Sequence, residues 1–557
     1  MTASPRKRVL LSSVCAPFGE KYGDGFTVRH EAVHQLSWAQ GVFRLYGTNT
    51  QWGIDFIAQN LETPTTTLHY PTMEQFIKEI KNGYDYIGIS FIVPTFHKMK
   101  PMVEAIRRHA PSSKIILGGY GAVLNEVLTP YADYICNGEG VAFMRNLLGE
   151  DVDAPLEQPI VVEYMSFFLP FLPVRGAYAH IFAGLGCPNG CDFCATSAFF
   201  KRKHIRLLPD GPSVVRAIQR IRETHPDIVD FWISDEDFLL DPARGRSFLE
   251  AVRASDLPPL SLGIFSSVKA LSQYTASELV EMGVERVWIG YEAKGAGYNK
   301  MKGRSYRELF TDLHNHGICV LASMIIGYDY QTKEIIMEEF DEFMSLRPSI
   351  SQFLILGGSI GTPLHARLAA ERRHIPEVEN DYRAQDGFVA GHTRPYISAE
   401  EINSLIRSLA KEEFRRLGPT IFRLVDDFMT GYENLKDHPN ERIRAKAQRY
   451  LRDARLCRPY LLPGKKYLPP SLHAWIDGLY ERLNKAAGEP LFAEQLVAKS
   501  APAVLWYADL RQRRNAETQP RFVKRVFPEK SIRYGVTRRD TLTLRAMKFV
   551  RDSVTPV

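Results

Sequence analysis

Nowhere in the 557 residues do eighteen apolar residues run together, so no stretch has the length and apolarity of a membrane-spanning helix. Charge of one sign is also scarce: 70 Lys and Arg against 64 Asp and Glu leave a formal +6, and no nucleic-acid partner is expected on that balance. Cysteine is rare and odd in number, with seven in all and four of them scattered at Cys15, Cys136, Cys319 and Cys457. That pattern excludes a disulfide framework and suits a reducing, cytoplasmic setting. Internal repeats and low-complexity segments are missing too. The opening MTASPRKRVLLSSV has the basic patch and apolar run of a secretory signal, but the run is short, lacks a small-residue cleavage site, and reads equally well as a first buried strand.

What is present is 45% apolar sequence, enough to fill the cores of two to four domains. Residues 1–150 alternate strand and helix, with strands expected at 8–14, 65–70, 84–92, 114–119 and 132–138, the pattern of a doubly wound parallel sheet. Such sheets bind ligands beyond the carboxyl ends of their strands, and small residues gather there: Gly88 and Ser90, then Gly118, Gly119 and Gly121, then Gly138 and Gly140. Each could equally be a plain turn residue. A proline-bearing connection, 151–175, leads to six further strand and helix units over 176–365, expected as a partial (β/α)6 barrel with its chemistry at the strand carboxyl ends. From 366 to 557 the sequence is mainly helical, with Ser398 and Glu401 placed as a capping box. From Arg511 onward thirteen Lys or Arg face four Asp or Glu, interleaved with Phe522, Phe527, Tyr534 and Phe549. This tail is expected to pack back on the body through its aromatics; the alternative is a surface for nucleic acid, an acidic substrate or anionic lipid, the last giving peripheral membrane contact.

Three of the seven cysteines fall within eight positions, in HIFAGLGCPNGCDFCATSAFF, just after the first barrel strand. Cys187, Cys191 and Cys194 lack the second C-x2-C pair of a structural zinc site, for which His204 is the candidate fourth ligand. The alternative is a [4Fe-4S] cluster with one iron left open.

CPNGCDFC, with Phe193 before the last cysteine, resembles the signature loop of the radical S-adenosylmethionine (SAM) superfamily. The resemblance implies that the three cysteines hold the cluster while SAM chelates the fourth iron and is cleaved to a 5′-deoxyadenosyl radical. ISDEDF is placed like that family's second strand, which implies SAM contacts at Ser234 and Asp235, with Asp237 nearby; WIGYEAK resembles its G-x-E-S strand and implies a ribose contact at Glu292. ASMIIGYDYQT departs from the family pattern by carrying Asp329 and Tyr330 where proline and glycine are usual. YDYIGISFIV, KIILGGYGAVLNEVL and ADYICNGEG, ending in Gly138 and Glu139, are similar to the cobalamin-binding domain that precedes the barrel in one large branch. The D-x-H-x-x-G motif of an axial histidine is absent, so cobalamin binding is expected to be histidine-off.

The resemblance, covering about 1–365, implies a cobalamin-dependent methyltransferase acting on an unactivated carbon of a small-molecule, lipid or peptide substrate, with an external flavodoxin- or ferredoxin-type electron donor. The alternatives are a cyclase, oxidase or rearrangement enzyme of the same architecture and, in another class, a non-catalytic cobalamin or redox sensor. His97, His314 and His316 read as surface or core histidines, Cys457 as a small buried hydrophobe, and Trp232 and Tyr291 as core.

Overall fold

The computed structural model describes residues 7–26, 34–47, 50–170, 177–514 and 518–527. The tail beyond Phe527, with Tyr534 and Phe549, and the end of the 151–175 connection lie outside them.

In the amino-terminal region the apolar segments become β1 (Val9–Ser13), β2 (Thr65–His69), β3 (Tyr86–Ser90), β4 (Lys114–Gly118) and β5 (Tyr134–Ile135), parallel in the order β2-β1-β3-β4-β5. Side chains alternate along a strand. Val9, Leu11 and Ile116 therefore pack with Ile54 and Met144 on one face, while Leu10, Ile87, Ile89 and Leu117 pack with Phe76, Met102 and Ile106 on the other. Burial of both faces is why these strands read as apolar runs. Helices α1 (Trp52–Gln59) and α2 (Gly140–Leu148) cover the first face.

The second sheet contains β6 (Val162–Glu163), β7 (Tyr178–Phe182), β8 (Asp230–Ser234), β9 (Ser261–Phe265), β10 (Val284–Glu292), β11 (Cys319–Ile326) and β12 (Ile350–Ile355). Strands β7 to β12 are parallel and adjacent in chain order, the expected partial barrel. The two-residue β6, not anticipated from sequence, joins β7 antiparallel at the edge.

The regions 1–150 and 366–557 do not separate cleanly in space. The C-terminal helices, Ala399–Leu417, Thr420–Leu435, Glu441–Arg455, His473–Ala487 and Phe492–Arg513, share one hydrophobic cluster with the barrel, and Val42, Phe43 and Leu45 belong to it as well. The Phe43 ring lies 5.1 Å from that of Phe422, and Lys446 reaches into the barrel to donate to Glu285 Oε2 at 2.5 Å. The Ser398–Glu401 capping box forms, with reciprocal bonds of 3.2 and 3.0 Å. In the opposite direction, Val523–Phe527 forms β13, antiparallel to β2 on the first sheet. The described tail thus packs back on the body with Phe522 and Phe527 turned inward, but backbone pairing and ion pairs fix it as well: Arg525 with the buried Asp55, and Lys524 with Glu79 at 2.7 Å. No helix among the described residues is long and apolar enough to cross a membrane.

Candidate active site between the two sheets

The cysteine loop leaves β7 and is pinched at its base where Gly184–Leu185 pairs antiparallel with Ile205–Arg206. Its turns require glycine at Gly186 and Gly190, both at positive φ (76° and 68°). A Cβ on Gly186 would stand 2.3 Å from Lys203 O. Inside the loop, Ser197 Oγ donates to Cys187 O at 2.9 Å and accepts from Gly190 N–H at 3.2 Å. Outward ties hold it to the barrel: Asn189 Nδ2 donates to Asp237 Oδ2 (3.1 Å), Tyr298 Oη to Asp192 Oδ1 (2.7 Å) and Leu364 N–H to Asp192 O (3.0 Å). Asp237 also accepts from Ser266 Oγ and Ser267 N–H, so it positions the loop.

Burial pushes the Cys187 thiol up to about 12 and that of Cys191 to about 11, and raises Cys194 too. Such thiols become thiolates only with a positive centre beside them. Among the described residues the three thiols are not a set whose ligand atoms all lie within 4.8 Å of one another, whereas thiolates on one tetrahedral zinc stand about 3.8 Å apart. His204, the candidate fourth zinc ligand, instead lies 3.2 Å from Asp235 Oδ2. A donor set of three spread thiols fits a larger iron-sulfur body better than a single ion.

Lys300, unremarkable in sequence, sits beside this loop. It pairs with Glu292, lies 5.8 Å from the Phe193 ring centre, and stays charged despite burial because Glu292, Cys191 and Cys194 favour the cation. Glu292 is buried at the end of β10, with φ 60° at the point where the register with β11 shifts. Non-glycine residues held in that region mark sites that the surrounding fold over-determines. Phe193 packs edge-on to Tyr298 at 5.3 Å. Asp235 is engaged by Arg244 Nη1 at 2.7 Å as well as by His204, so its carboxylate is neutralised within the protein. Glu236 is exposed along the cavity wall, yet the protein around its carboxyl and the adjacent Asp235 push its pKa up. The departures at Asp329 and Tyr330 have structural roles. Hydrogen bonds from Arg373 hold the Asp329 carboxyl down to about 2 against partial burial, with help from Arg367, and Tyr330 Oη donates to Glu339 at 2.8 Å.

A cavity of about 460 Å³ joins the two sheets. One wall is the first sheet's carboxyl ends and α2: Gly88, Ser90, Gly118, Gly119, Gly138 and Glu139. The other is the barrel: His180, Trp232, Ser234, Asp235, Glu236 and Phe265. Trp232, read from sequence as core, is therefore on the wall, while Tyr291 is core at 2% exposure. Gly121 is not brought to this cavity: it is buried against Phe91, whose ring a Cβ there would meet at 2.3 Å, so the glycine answers to its own neighbour. Gly119 lines the cavity but is likewise demanded locally, since it has φ 82° and a Cβ would stand 2.6 Å from Phe91 O. Glu139 caps α2, accepting from Val141 and Ala142 N–H at 2.7 and 2.6 Å. The glycine-rich wall over a parallel sheet suits a flat bulky cofactor such as cobalamin. Among the described lining residues the histidine is His180, from the barrel side.

Sequence reasoning missed His180 and its partner. Glu163, at 2% exposure, accepts from Thr50 N–H (2.7 Å), Thr50 Oγ1 (3.0 Å) and Tyr178 Oη (2.9 Å), and stands 3.0 Å from His180 Nε2. Burial opposes the Glu163 charge, but His180 and the other donors outweigh it and keep the carboxyl below its usual range. A carboxylate only accepts, so Nε2–H donates to Glu163, and Nδ1 lies 3.5 Å from Ser234 Oγ. Tyr120 was missed as well: it lines this cavity and a neighbouring one of about 610 Å³, and its Oη lies 3.2 Å from Thr196 Oγ1 just after the cysteines.

No protein-family model matches the chain. Over 243 residues it is 25% identical to bacteriochlorophyllide d C-12(1)-methyltransferase of Chlorobaculum tepidum, a match covering 42% of this chain, and it spans about half (49%) of that relative's length. Among solved structures it is similar to the radical S-adenosylmethionine methyltransferase TsrM of Kitasatospora setae with cobalamin and a [4Fe-4S] cluster bound, at a TM-score of 0.53 and 14% identity, over 81% of this chain and 99% of that one. A second TsrM structure, with tryptophan substrate and a SAM analogue, aligns over the same shares at 14% identity and a TM-score of 0.52. At that identity the likeness is one of architecture: the chain shares the fold of these two TsrM structures.

Proposed function

We propose that this chain is a radical SAM methyltransferase that uses cobalamin to methylate a small molecule at an unactivated carbon. One observation carries the reading: a single cavity is walled by the carboxyl ends of the first sheet and by barrel strands β7 to β9, with the cysteine loop rising from the end of β7. Cys187, Cys191 and Cys194 would hold the [4Fe-4S] cluster; Phe193, Ser234, Asp235 and Glu292 would border SAM; and Gly88, Ser90, Gly118, Gly119, Gly138 and Glu139 would receive cobalamin. Once bound, the cluster would supply reductive cleavage of SAM and the cobalamin would supply methyl carriage. The protein's own part is to anchor the loop through Asp237 and Asp192, to keep a cation, Lys300, beside the thiols, and to hold aromatic walls, Trp232 and Phe265, against water. A curated relative that methylates carbon, by its name, supports transfer to carbon.

The test is anaerobic turnover with SAM, a low-potential reductant and candidate substrates. Both S-adenosylhomocysteine and 5′-deoxyadenosine are expected, and Cys191→Ala should lose both together with its iron. Formation of 5′-deoxyadenosine alone would sink the methyl transfer.

The Glu163–His180 pair favours a second reading, in which the methyl acceptor is a nucleophilic position that must lose a proton. His180 Nδ1 would take that proton, a role that usually contributes ~10²–10⁴-fold in rate. Under this reading S-adenosylhomocysteine forms without stoichiometric 5′-deoxyadenosine and Glu163→Gln slows methylation; under the first, Glu163→Gln leaves 5′-deoxyadenosine formation intact.

A further inference from the structure

Outside the cysteine loop, among the described residues, His365, His374 and Glu379 bring one ligand atom each to within 4.8 Å of one another. Three separate elements deliver them. His365 is on the first turn of the helix Pro363–Ala370, its N–H bonded to Thr362 Oγ1 at 3.2 Å. His374 forms an isolated antiparallel bridge with His392. Glu379 ends the short helix Pro376–Glu379. The two imidazole rings are 4.6 Å apart at 40° to each other, and both are half-buried.

The tautomer of His374 is fixed by its neighbour. Its Nε2 lies 3.2 Å from the backbone carbonyl of His365, and a carbonyl only accepts, so Nε2 carries the hydrogen and Nδ1 carries a free lone pair. A metal-ligating histidine commonly donates its other ring nitrogen to a carbonyl in this way. Across the bridge, His392 is 1% exposed and neither of its ring nitrogens has a hydrogen-bond partner, which leaves a buried imidazole with unmet capacity directly opposite His374. His374 and Glu379 also line the cavity of about 610 Å³ that Phe193 of the cysteine loop lines too.

We propose that His365, His374 and Glu379 bind a zinc-class divalent transition-metal ion, separate from the cysteine site, with open coordination positions turned into that cavity. Two imidazoles and one carboxylate form a donor set for such ions when positions are left for exogenous ligands. Ligand atoms on a tetrahedral ion lie about 3.4 Å apart, so small side-chain rotations close the site. In the cavity the ion would take an anionic oxygen, such as a carboxylate of the substrate, and fix that end of the molecule relative to the cysteine loop. The ion site stands whether or not the proposed methyl transfer holds.

The experiment is Co2+ titration of the full-length, cluster-loaded protein under anaerobic conditions, read by visible absorption, with iron measured on the same samples. One equivalent of Co2+ should bind with d–d bands of a nitrogen and oxygen site and without thiolate-to-cobalt charge transfer. Azide should shift those bands by filling an open position. His365→Asn and His374→Asn should each weaken binding tenfold or more while iron content stays at the wild-type level, which reports an intact fold. Co2+ binding unchanged in both variants, or charge-transfer bands that vanish in Cys187→Ser, would overturn the site. Bands indifferent to azide would overturn the open coordination.

Discussion

Replacing Lys300 by Met would test the electrostatic core of the site, because it removes the cation from a pair in which Glu292 is 4% exposed and Lys300 19%. Glu292 cannot turn to solvent from the end of β10, and its backbone is already held at φ 60°. Removing one member of a buried pair costs about 3–5 kcal/mol, because the other charge is left uncompensated. The partial exposure of Lys300 lets water reach the remaining carboxylate, so the lower end, about 3 kcal/mol, applies. The barrel and the C-terminal helices share one hydrophobic cluster, so the cooperative unit exceeds the 150–250 residues for which 1 kcal/mol is worth about 2–4 °C, and the fall in melting temperature is about 6 °C or less. Lys300→Met with Glu292→Gln should recover most of the loss, since both charges are then gone. The assay is thermal unfolding of wild type, single and double variants at neutral pH. A single variant that melts with the wild type, or a double variant no more stable than the single, would show that Lys300 and Glu292 do not form a buried ion pair.

Asp329→Asn should cost about 1 kcal/mol at neutral pH, the exposure of its Arg373 and Arg367 pairs limiting the effect. The Asp329 carboxyl is held down to about 2 in the folded chain, below its unfolded value, so this stabilisation is complete above about pH 4 and disappears as pH falls toward 2. Urea unfolding of the two proteins at several pH values should converge at the acid end; a constant difference would contradict the assignment. Arg525→Met leaves Asp55 with Thr67 and His69 but removes the tie from β13, and should speed amide exchange along Val523–Phe527 and the facing β2 edge while the barrel amides stay protected.

The cysteine loop was legible because its chemistry is local: three thiols, two glycines that must turn, and an aromatic are contained in one short segment. The strands were legible for a related reason, since sheets covered on both faces write themselves as apolar runs. Lys300 was not legible, because a lysine eight residues past a strand end looks like any solvated lysine until the fold buries it. Glu163 and His180 belong to different strands, and only the antiparallel addition of β6 to β7 makes them a pair. Gly121 shows the opposite error: the sequence offered a glycine where a ligand could approach, and the tertiary neighbour is Phe91.

The sequence by itself determined the two parallel sheets, their strand order along the chain and the identity of the three thiols, since periodicity and spacing are properties of neighbours in the chain. Tertiary structure decided which ionisable groups meet. It paired Asp235 with Arg244 and His204 and set Lys300 against Glu292. It bound the tail to the first sheet and residues 42–45 to the helical side of the barrel, and it gathered His365, His374 and Glu379 into one cluster, two of whose members line a cavity. Those outcomes depend on through-space distance and burial, and the strength of a charge or hydrogen bond is set by the dielectric and partners it finds after folding.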